Sequence, residues 1–401
     1  MESQHITTER VDTVLDEVFT WSEAQGYRGY NKHDGLNSPV LKTLLGWSKW
    51  PRMVAIQGVM RFPINLRPLL LSPKSYNPKG LSLFTQALLD RYKASGNQMY
   101  LQKAEALLQL LLEQRSPGDW AGNCWGYHYP WQDPGFYAPT NTPNAVVSCF
   151  VCEAFLEAYR LTQKKEYLDI VASTIGFFTN NLTILKNEPD EMCLGYMPVP
   201  MTMRVMDVSI LIGTVMAQYS ALSGNSSHSA MAERLVRYVI NQQTNYHAWW
   251  YTDPSSDSHI THDNYHTGFI LDALQRYMDA THDYQWQENY DNGLQFYAEK
   301  LFNDDGSPRW MNDKDFPHDI HGAAQGILTF SRHLDTHNEL VNNIIQWSLD
   351  NMYTKGRFYY QQTPTYTKRF TLLRWCNGWM ARGLSHFYLH KTAISKTEKS
   401  A

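Results

Sequence analysis

Two short strings of the sequence place histidine beside aspartate and therefore suggest acid–base chemistry. The first is HDNYH at residues 262–266, and the second is HDIH at residues 318–321. A histidine next to a carboxylate can act as a general acid or base when partial burial adjusts its pKa. We therefore take as candidate catalytic residues Asp263, His266, Asp319 and His321.

Two further carboxylates, Asp34 and Asp133, lie in loops that are rich in polar and aromatic residues. The leading hypothesis is a carbohydrate-active enzyme that uses general acid–base chemistry, with glycoside hydrolysis slightly favoured. Inverting hydrolysis needs two carboxyl groups about 6.5–9.5 Å apart on either side of the scissile bond. The candidates for that pair are Asp34, Asp133, Asp263 and Asp319. The two candidate histidines would then position substrate or water. Asp263 and Asp319 each stand at the start of a predicted helix, where a carboxylate can instead serve only as an N-cap.

A second hypothesis is uronosyl C5-epimerisation or polysaccharide lysis. Both reactions remove a proton next to a carboxylate, so they need Tyr or His as acid and base and Arg to neutralise the acid group. The residues that fit this chemistry are Tyr265, His266, His321, Tyr360 and Arg374. A third hypothesis, from another class, is a non-catalytic glycan-binding or scaffold protein.

An aromatic loop over residues 120–137 is a candidate sugar-binding segment because it contains seven aromatic side chains. Sugars present flat C–H faces edged by hydroxyl groups, which suit aromatic platforms beside polar side chains. A long loop can also need such residues for a small core of its own. Arginines beside aromatic residues can pair with a carboxylate or sulfate on the substrate. The candidate substrate-binding residues are Trp125, Tyr127, His128, Trp131, Tyr265, Arg67, Tyr360 and Arg374.

We expect no cofactor and no metal. Phosphate-binding glycine loops, a G-x-S-x-G elbow and a Cys-His nucleophile set are absent from the sequence. A zinc site is a weaker alternative, because its first two histidines straddle a predicted helix start and no cysteine lies near them. Its four ligands would be His262, His266, His318 and His321.

One helical pattern recurs six times along the chain, with small and apolar residues at three- to four-residue spacing. The six copies end at Tyr92, Tyr159, Tyr219, Tyr277, His333 and Phe387, which are 67, 60, 58, 56 and 54 residues apart. After most of them come a short polar turn and a second, half-polar helix. Each unit is therefore a helical hairpin that pairs one nearly all-apolar helix with one amphipathic helix.

These hairpins predict an all-α fold in which the hairpins close into a ring, an (α/α)6 toroid. A helix that is apolar all round must be buried, whereas a half-polar helix can cover the outside. Turns within hairpins are short and the connections between hairpins are long, so in a ring the long loops converge on one mouth. The main alternative is an open solenoid, whose repeats are shorter and whose loops are short on both sides.

We expect a single domain over residues 1–390. It would begin with an irregular first hairpin in residues 1–75, and a polar C-terminal tail would follow in residues 391–401. Within the first hairpin, residues 7–25 predict an outer helix, and residues 39–60 predict one broken helix or two short ones.

The charge balance of the chain is nearly even, with 35 basic against 39 acidic residues and a formal net charge of −4. This composition indicates neither nucleic acid nor an anionic membrane as a partner. No apolar run is long enough to predict a membrane-spanning segment, and residues 1–10 lack the pattern of a signal peptide. Cys149 and Cys152 lie in a helical pattern, which predicts buried thiols rather than a redox motif. We therefore expect a cytoplasmic protein, of open oligomeric state, that acts on an oligo- or polysaccharide.

Seven strings of the sequence carry a resemblance to a known family. They are residues 31–39, 61–68, 77–80, 125–144, 263–274, 319–326 and 374–384. Nearly the whole chain resembles a bacterial family associated with exopolysaccharide and capsule biosynthesis. The resemblance implies a surface polysaccharide or its lipid-linked precursor as substrate, and a fold similar to six-hairpin glycosidases and to the helical domain of glucuronyl C5-epimerases. It carries over no catalytic residue, and the sequence departs from the patterns of N-acylglucosamine epimerases and lanthionine cyclases.

Overall fold

The computed structural model describes residues 6–400, with side chains up to Lys396, and this part of the chain contains fourteen α-helices. They are α1 (Thr8–Ala24), α2 (Pro39–Leu45), α3 (Lys49–Arg61), α4 (Pro78–Ser95), α5 (Gln98–Glu113), α6 (Ala145–Thr162), α7 (Lys165–Asn181), α8 (Met206–Ser223), α9 (Ser229–Ile240), α10 (Asn264–Thr281), α11 (Gln287–Leu301), α12 (Ile320–Phe330), α13 (Leu334–Met352) and α14 (Trp379–Ser400).

Eleven short β-strands lie in the connections of the same described residues. They are β1 (Trp131–Gln132), β2 (Tyr137–Ala138), β3 (Ile184–Asn187), β4 (Met192–Leu194), β5 (Arg204–Val205), β6 (Thr252–Asp253), β7 (His318–Asp319), β8 (Tyr353–Thr354), β9 (Arg357–Phe358), β10 (Gln361–Gln362) and β11 (Thr367–Lys368). Local antiparallel hairpins are formed by β1–β2, β3–β4 and β8–β9, whereas β5–β6 and β7–β10–β11 join different loops.

Six of the helices form a closed inner ring, namely α4, α6, α8, α10, α12 and α14. Each contacts the next in chain order, and α14 contacts α4, which closes the circle. The helices α5, α7, α9, α11 and α13 each pack outside the inner helix that precedes them. This arrangement confirms the (α/α)6 toroid and excludes the open solenoid.

The two ends of the chain meet in the sixth unit of the ring. The pattern of residues 1–75 predicts an irregular first hairpin, but α1 packs against α14 and serves as its outer helix. The predicted pair of short helices after it is present as α2 and α3. The sequence also predicts a separate polar tail from residue 391, whereas α14 continues as a helix through Ser400. Ala401 lies outside the described residues.

Side-chain caps fix where several inner helices begin. Asn77 Oδ1 accepts a hydrogen bond from the Gly80 amide at 3.1 Å, and Asn144 Oδ1 accepts one from Val147 at 2.9 Å. Asp319 Oδ1 accepts one from the His321 amide at 3.0 Å, so its N-cap role is confirmed. The Asp263 side chain makes no such bond, which leaves its carboxylate for other partners.

One continuous apolar core fills the space between the inner and outer helices. All five cysteines are buried free thiols, including Cys149 and Cys152, as their helical pattern predicts. Burial raises the pKa of the Cys149 thiol well above its usual value. Within the described residues, none of the helices combines the length and the apolar character that crossing a membrane requires.

Gly213 allows α8 and α9 to approach closely, because a Cβ atom at this position would lie 2.8 Å from the carbonyl oxygen of Ala232. The backbone of α9 cannot move away without disturbing the core, so we expect Gly213→Ala to lower the free energy of unfolding by about 1–3 kcal/mol. Gly58→Ala in α3 is the matched control, since a Cβ atom there would have no neighbouring atom within 4 Å. That variant should be neutral or stabilising by up to about 1 kcal/mol. Urea unfolding of both variants tests the difference.

Candidate active site

The starts of the inner helices meet at one end of the ring, which we call the mouth. The strand pair β5–β6 joins the loop before α8 to the loop before α10, and β7–β10 joins the segment before α12 to the one before α14. A Cβ atom on Gly80, near the start of α4, would lie 3.0 Å from Cβ of Arg374, near the start of α14. The long loops therefore converge on one mouth, as their asymmetry predicts.

His266 and Asp263 form a hydrogen-bonded pair at this mouth. Nδ1 of His266 lies 2.9 Å and 2.8 Å from the two carboxylate oxygens of Asp263, so the ring donates its Nδ1 proton to a buried carboxylate. The imidazole lies between the rings of Tyr251 and Tyr265, at centroid distances of 4.6 Å and 4.5 Å. Its side chain is 19 % exposed. The carboxylate thus orients the ring and leaves Nε2 available to a ligand.

His321 lies in an aromatic box at the centre of the ring. Its imidazole stacks on Tyr265 at 4.6 Å and on Trp379 at 4.4 Å, and its edge contacts Trp375. Both ring nitrogens are buried, and neither has a hydrogen-bond partner among the described residues. Burial, followed by the positive charges of Lys79 and Arg374, holds the pKa of His321 well below its usual value. The neutral imidazole therefore offers one donor and one acceptor to a bound molecule.

Asp319 and Asp207 have opposite environments at the mouth. The Asp319 carboxylate also accepts hydrogen bonds from Trp375 Nε1 at 2.7 Å and from Gln361 Nε2 at 2.8 Å, so its oxygens are occupied by the protein. Asp207 is buried, and its Oδ1 has no partner. Burial raises the pKa of Asp207, whereas His266, when it carries a second proton, and Lys79 oppose this. Of the two, Asp207 is the carboxyl that can reach a ligand.

Three buried cations surround the mouth, and none of them has a carboxylate within 4.0 Å in the described part of the chain. Lys32 Nζ lies 3.9 Å from the ring centre of Trp375, and burial lowers its pKa to about 8. Lys79 Nζ lies 3.9 Å from the ring centre of Phe150, and burial lowers its pKa well below the usual value. Arg374 has a buried Nε without a partner. Unpaired buried cations are costly, so together they favour an anionic group on the ligand.

Aromatic side chains form the walls beside these polar groups. Tyr127 is half-buried, and the Arg374 guanidinium lies 5.6 Å from its ring centre. Trp131 contacts the rings of Tyr127 and Tyr196 at 6.1 Å and 6.0 Å. The structure therefore brings four of the predicted substrate-binding residues to the mouth, namely Tyr127, Trp131, Tyr265 and Arg374, and their binding role stays a prediction.

The predicted site residues Asp34 and Arg67 pair with each other instead of facing the mouth. Arg67 Nε donates to Asp34 Oδ1 at 2.6 Å, and each side chain is only 1 % exposed. Arg67 Nη2 also donates to the carbonyl oxygen of Asn31 at 2.6 Å. This ion pair fastens the first loop to residue 67, so we assign it a structural role.

Four other predicted site residues do not contact the His266–Asp263 pair, although Tyr360 and Asp133 lie near other members of the cluster. Trp125 is fully buried and donates from Nε1 to the carbonyl of Leu111 at 2.7 Å. Tyr360 is buried against Phe370. His128 lies beside the backbone of Gln114, at the end of α5, and Asp133 lies in the β1–β2 turn at the rim. The arrangement leaves none of these four side chains in contact with the His266 pair.

The histidines of the alternative zinc site do not converge. His262 is held by the carbonyl of Trp249 at Nδ1 and the hydroxyl of Tyr246 at Nε2, at 2.8 Å and 3.0 Å. His318 Nδ1 lies 2.9 Å from the carbonyl of Pro308. Protein groups thus occupy nitrogens that a zinc ion would need.

The sequence matches no protein-family model, and no curated protein is significantly similar to it. Solved structures share its fold. A cellobiose 2-epimerase from Bacillus thermoamylovorans has a TM-score of 0.62 at 13 % identity, over 78 % of this chain and 87 % of its own. A family 88 glycosyl hydrolase from Bacteroides vulgatus has 0.60 at 9 % identity, over 97 % and 100 %. A polysaccharide lyase has 0.57 at 8 % identity, over 97 % and 98 %. These likenesses establish the (α/α)6 toroid fold.

Proposed function

We propose that the protein is a carbohydrate-active enzyme that transfers a proton at the C5 carbon of a uronic acid residue, as a uronosyl epimerase or lyase. The single observation that carries this proposal is the composition of the mouth, where histidines and tyrosines meet three cations that lack carboxylate partners. A proton next to a carboxylate becomes acidic only if the negative charge that develops is stabilised. The sequence alone slightly favours hydrolysis, and the occupied carboxylate of Asp319 reverses that preference.

The proposed mechanism uses His266 as the base. Nε2 takes the C5 proton, and Asp263 stabilises the imidazolium that forms. Lys32 and Arg374 neutralise the charge that moves onto the substrate carboxylate. Burial raises the pKa of Tyr265 well above its usual value, so its hydroxyl stays protonated and can serve as the acid. In an epimerase this hydroxyl returns a proton to the other face of C5, whereas in a lyase it protonates the departing C4 oxygen and a C4–C5 double bond remains.

The solved structures of similar fold support a carbohydrate substrate, because the proteins are named as a cellobiose epimerase, a glycosyl hydrolase and a polysaccharide lyase. The resemblance of residues 125–144 and 263–274 to proteins associated with exopolysaccharide and capsule biosynthesis supports a surface or extracellular polysaccharide, or its lipid-linked precursor. We propose a bacterial surface polysaccharide that contains uronic acid as the substrate.

Glycoside hydrolysis is a second candidate, and Asp207 is the observation that favours it. A carboxyl group with a raised pKa can donate a proton to a leaving oxygen at neutral pH. Asp263 would then act as the second carboxylate, which requires the His266 pair to open. Because this step would break the hydrogen bond that His266 Nδ1 shares between both oxygens of Asp263, hydrolysis ranks below proton transfer at C5.

Incubation of the protein with uronic-acid polymers in D2O separates these reactions. The polymers are polymannuronate, polygalacturonate and a glucuronate chain that alternates with N-acetylglucosamine. We expect deuterium at C5 without chain shortening for an epimerase, and absorbance of an unsaturated product for a lyase. New reducing ends without either signal would establish hydrolysis, and no change in any polymer of the panel would count against uronate chemistry.

A further inference from the structure

A strongly apolar surface covers the helical hairpin α2–α3 and the segment that follows it. Nine of the seventeen large hydrophobic side chains that are exposed in the described residues lie between residues 40 and 71. The six most exposed of these nine are Leu44, Trp47, Trp50, Val54, Leu69 and Leu71, each at least 64 % exposed. We call these residues the hairpin surface. An apolar patch of this kind on the outside of a folded domain marks an interaction site.

The hairpin surface is not needed to build the toroid. Helix α2 has no buried residue, and α3 buries only Ala55, Ile56 and Val59. Of the exposed tryptophans, Trp47 lies in the connection between the two helices and Trp50 in the first turn of α3, and both rings are largely exposed to solvent. Tryptophan is the side chain that most favours the boundary between water and lipid, because its ring is apolar and its N–H is polar.

The charges that the hairpin itself carries all have one sign, and Asp133 of the β1–β2 turn is an acidic residue near Lys49. Residues 35–89 contain no Asp or Glu, whereas the hairpin carries the basic residues Lys42, Lys49, Arg52 and Arg61. This is a local excess in a chain whose formal net charge is −4. If two copies of the chain met through this face, their positive charges would lie close together. Repulsion between these charges therefore disfavours self-association through the hairpin surface. An anionic lipid surface offers both the apolar layer and the opposite charge.

We propose that the hairpin surface binds the protein to an anionic lipid bilayer, with the tryptophans inserted at the interface and the basic residues at the head groups. The binding is peripheral and does not require a spanning helix. It depends on surface chemistry alone, and so it can be tested without an enzyme assay.

The position of the hairpin gives this binding a consequence for the site. Arg52 Nη1 lies 3.5 Å from Oε1 of Gln132, and Trp131 packs against Ala55 and Ile56 on the hairpin. Trp131 also lines the mouth beside Tyr127. Docking would therefore hold the mouth near the bilayer, and this step rests on the proposed function. A glycan that is attached to a lipid would reach the site without leaving the membrane.

Sedimentation with lipid vesicles tests the proposal. We expect the protein to bind vesicles of phosphatidylcholine mixed with phosphatidylglycerol and to bind pure phosphatidylcholine weakly, and we expect added salt to reduce binding. The double variant Trp47→Gln/Trp50→Gln should lose at least about tenfold in affinity. The double variant Lys42→Gln/Lys49→Gln should lose about twenty-five-fold in affinity for anionic vesicles, at about fivefold for each basic residue.

The matched control is Ile184→Gln/Tyr284→Gln, which removes two half-exposed hydrophobic side chains far from the hairpin in sequence. It should bind vesicles as the unchanged protein does, and thermal melting should show that all variants are folded. Equal binding by the tryptophan variant and the unchanged protein would overturn the proposal. Light scattering would also overturn the proposal if the unchanged protein and the other variants were dimers and the tryptophan variant were a monomer. The hairpin surface would then join two copies of the chain. A variant that no longer binds vesicles but still turns over a soluble glycan would show that membrane binding, which this proposal concerns, is distinct from the proposed catalytic function.

Discussion

Replacing His266 by asparagine should lower kcat by about 10²–10⁴-fold, which is the range for loss of a general base. The asparagine can still fill part of the space between Tyr251 and Tyr265, but it cannot accept the C5 proton. KM should change little, because the cations that bind the substrate carboxylate remain. The measurement is the rate of deuterium incorporation at C5 on the polymer that responds in the D2O experiment.

His128→Asn is the matched control for this prediction, because His128 is a loop histidine that lies beside Gln114 and away from the mouth. It should keep kcat within about twofold, as surface substitutions away from a site usually do. Asp263→Asn should also lower kcat by about 10²–10⁴-fold, because without the carboxylate the His266 ring no longer holds its proton on Nδ1 and presents the wrong tautomer at Nε2. A His266→Asn variant as active as the control would remove His266 from the mechanism.

The fold was predictable because the spacing of apolar residues repeats along the chain, and this repeat can be recognised even where a single residue would suit either a buried or an exposed position. The end points of the six apolar helices, such as Tyr92 and His333, mark units whose inner and outer helices recur in the structure. Ring closure depends on α14 reaching α4, which the alternation of apolar and half-polar helices implies. The partner of α14 was missed because α1 precedes the first repeat by more than fifty residues, and sequence order does not reveal that the two chain ends meet.

The candidate site was predictable only in part, because contacts between loops depend on three-dimensional packing. The strings around Asp263 and Asp319 converge because each stands at an inner-helix start. The sequence could not show that Arg67 forms an ion pair with Asp34, since the two residues are 33 positions apart in the chain. Lys79 was missed, although a lysine beside the start of an apolar helix is unfavourable for the helix dipole and so signals a function.

Overall composition also concealed the hairpin surface. A net charge near zero suggests no anionic partner. This sum over the whole chain conceals residues 35–89, which contain no acidic side chain. Exposure of Trp47 and Trp50 then depends on whether α2 and α3 join the core, which only the structure decides. Local charge together with exposed area is therefore more informative than total charge.

Lys32→Met should stabilise the protein and impair its activity at the same time. Burial lowers the pKa of Lys32 from 10.5, its ordinary value, to about 8, which corresponds to a cost of about 3 kcal/mol for the charged native state. Below pH 8 both the native and the unfolded chain carry the proton, so the cost is fully present. Between pH 8 and 10.5 the native chain loses the proton first, and the cost disappears. The advantage of methionine should therefore be about 3 kcal/mol at pH 7 and should vanish above pH 10.5.

The activity of Lys32→Met provides the second readout. Removing one group that stabilises developing negative charge typically costs about 10²–10³-fold in rate. The loss should be smaller on a methyl-esterified uronate polymer, because an ester develops less charge at the carboxyl. Lys300→Met, an exposed lysine on α11, is the matched control and should alter neither unfolding nor turnover. If Lys32→Met destabilised the protein at pH 7 and lost activity equally on both polymers, Lys32 would be a structural residue. The opposite result would be a variant that is more stable and that loses activity mainly on the polymer with free carboxylates. It would mean that the native fold keeps an unpaired cation because the substrate supplies its partner.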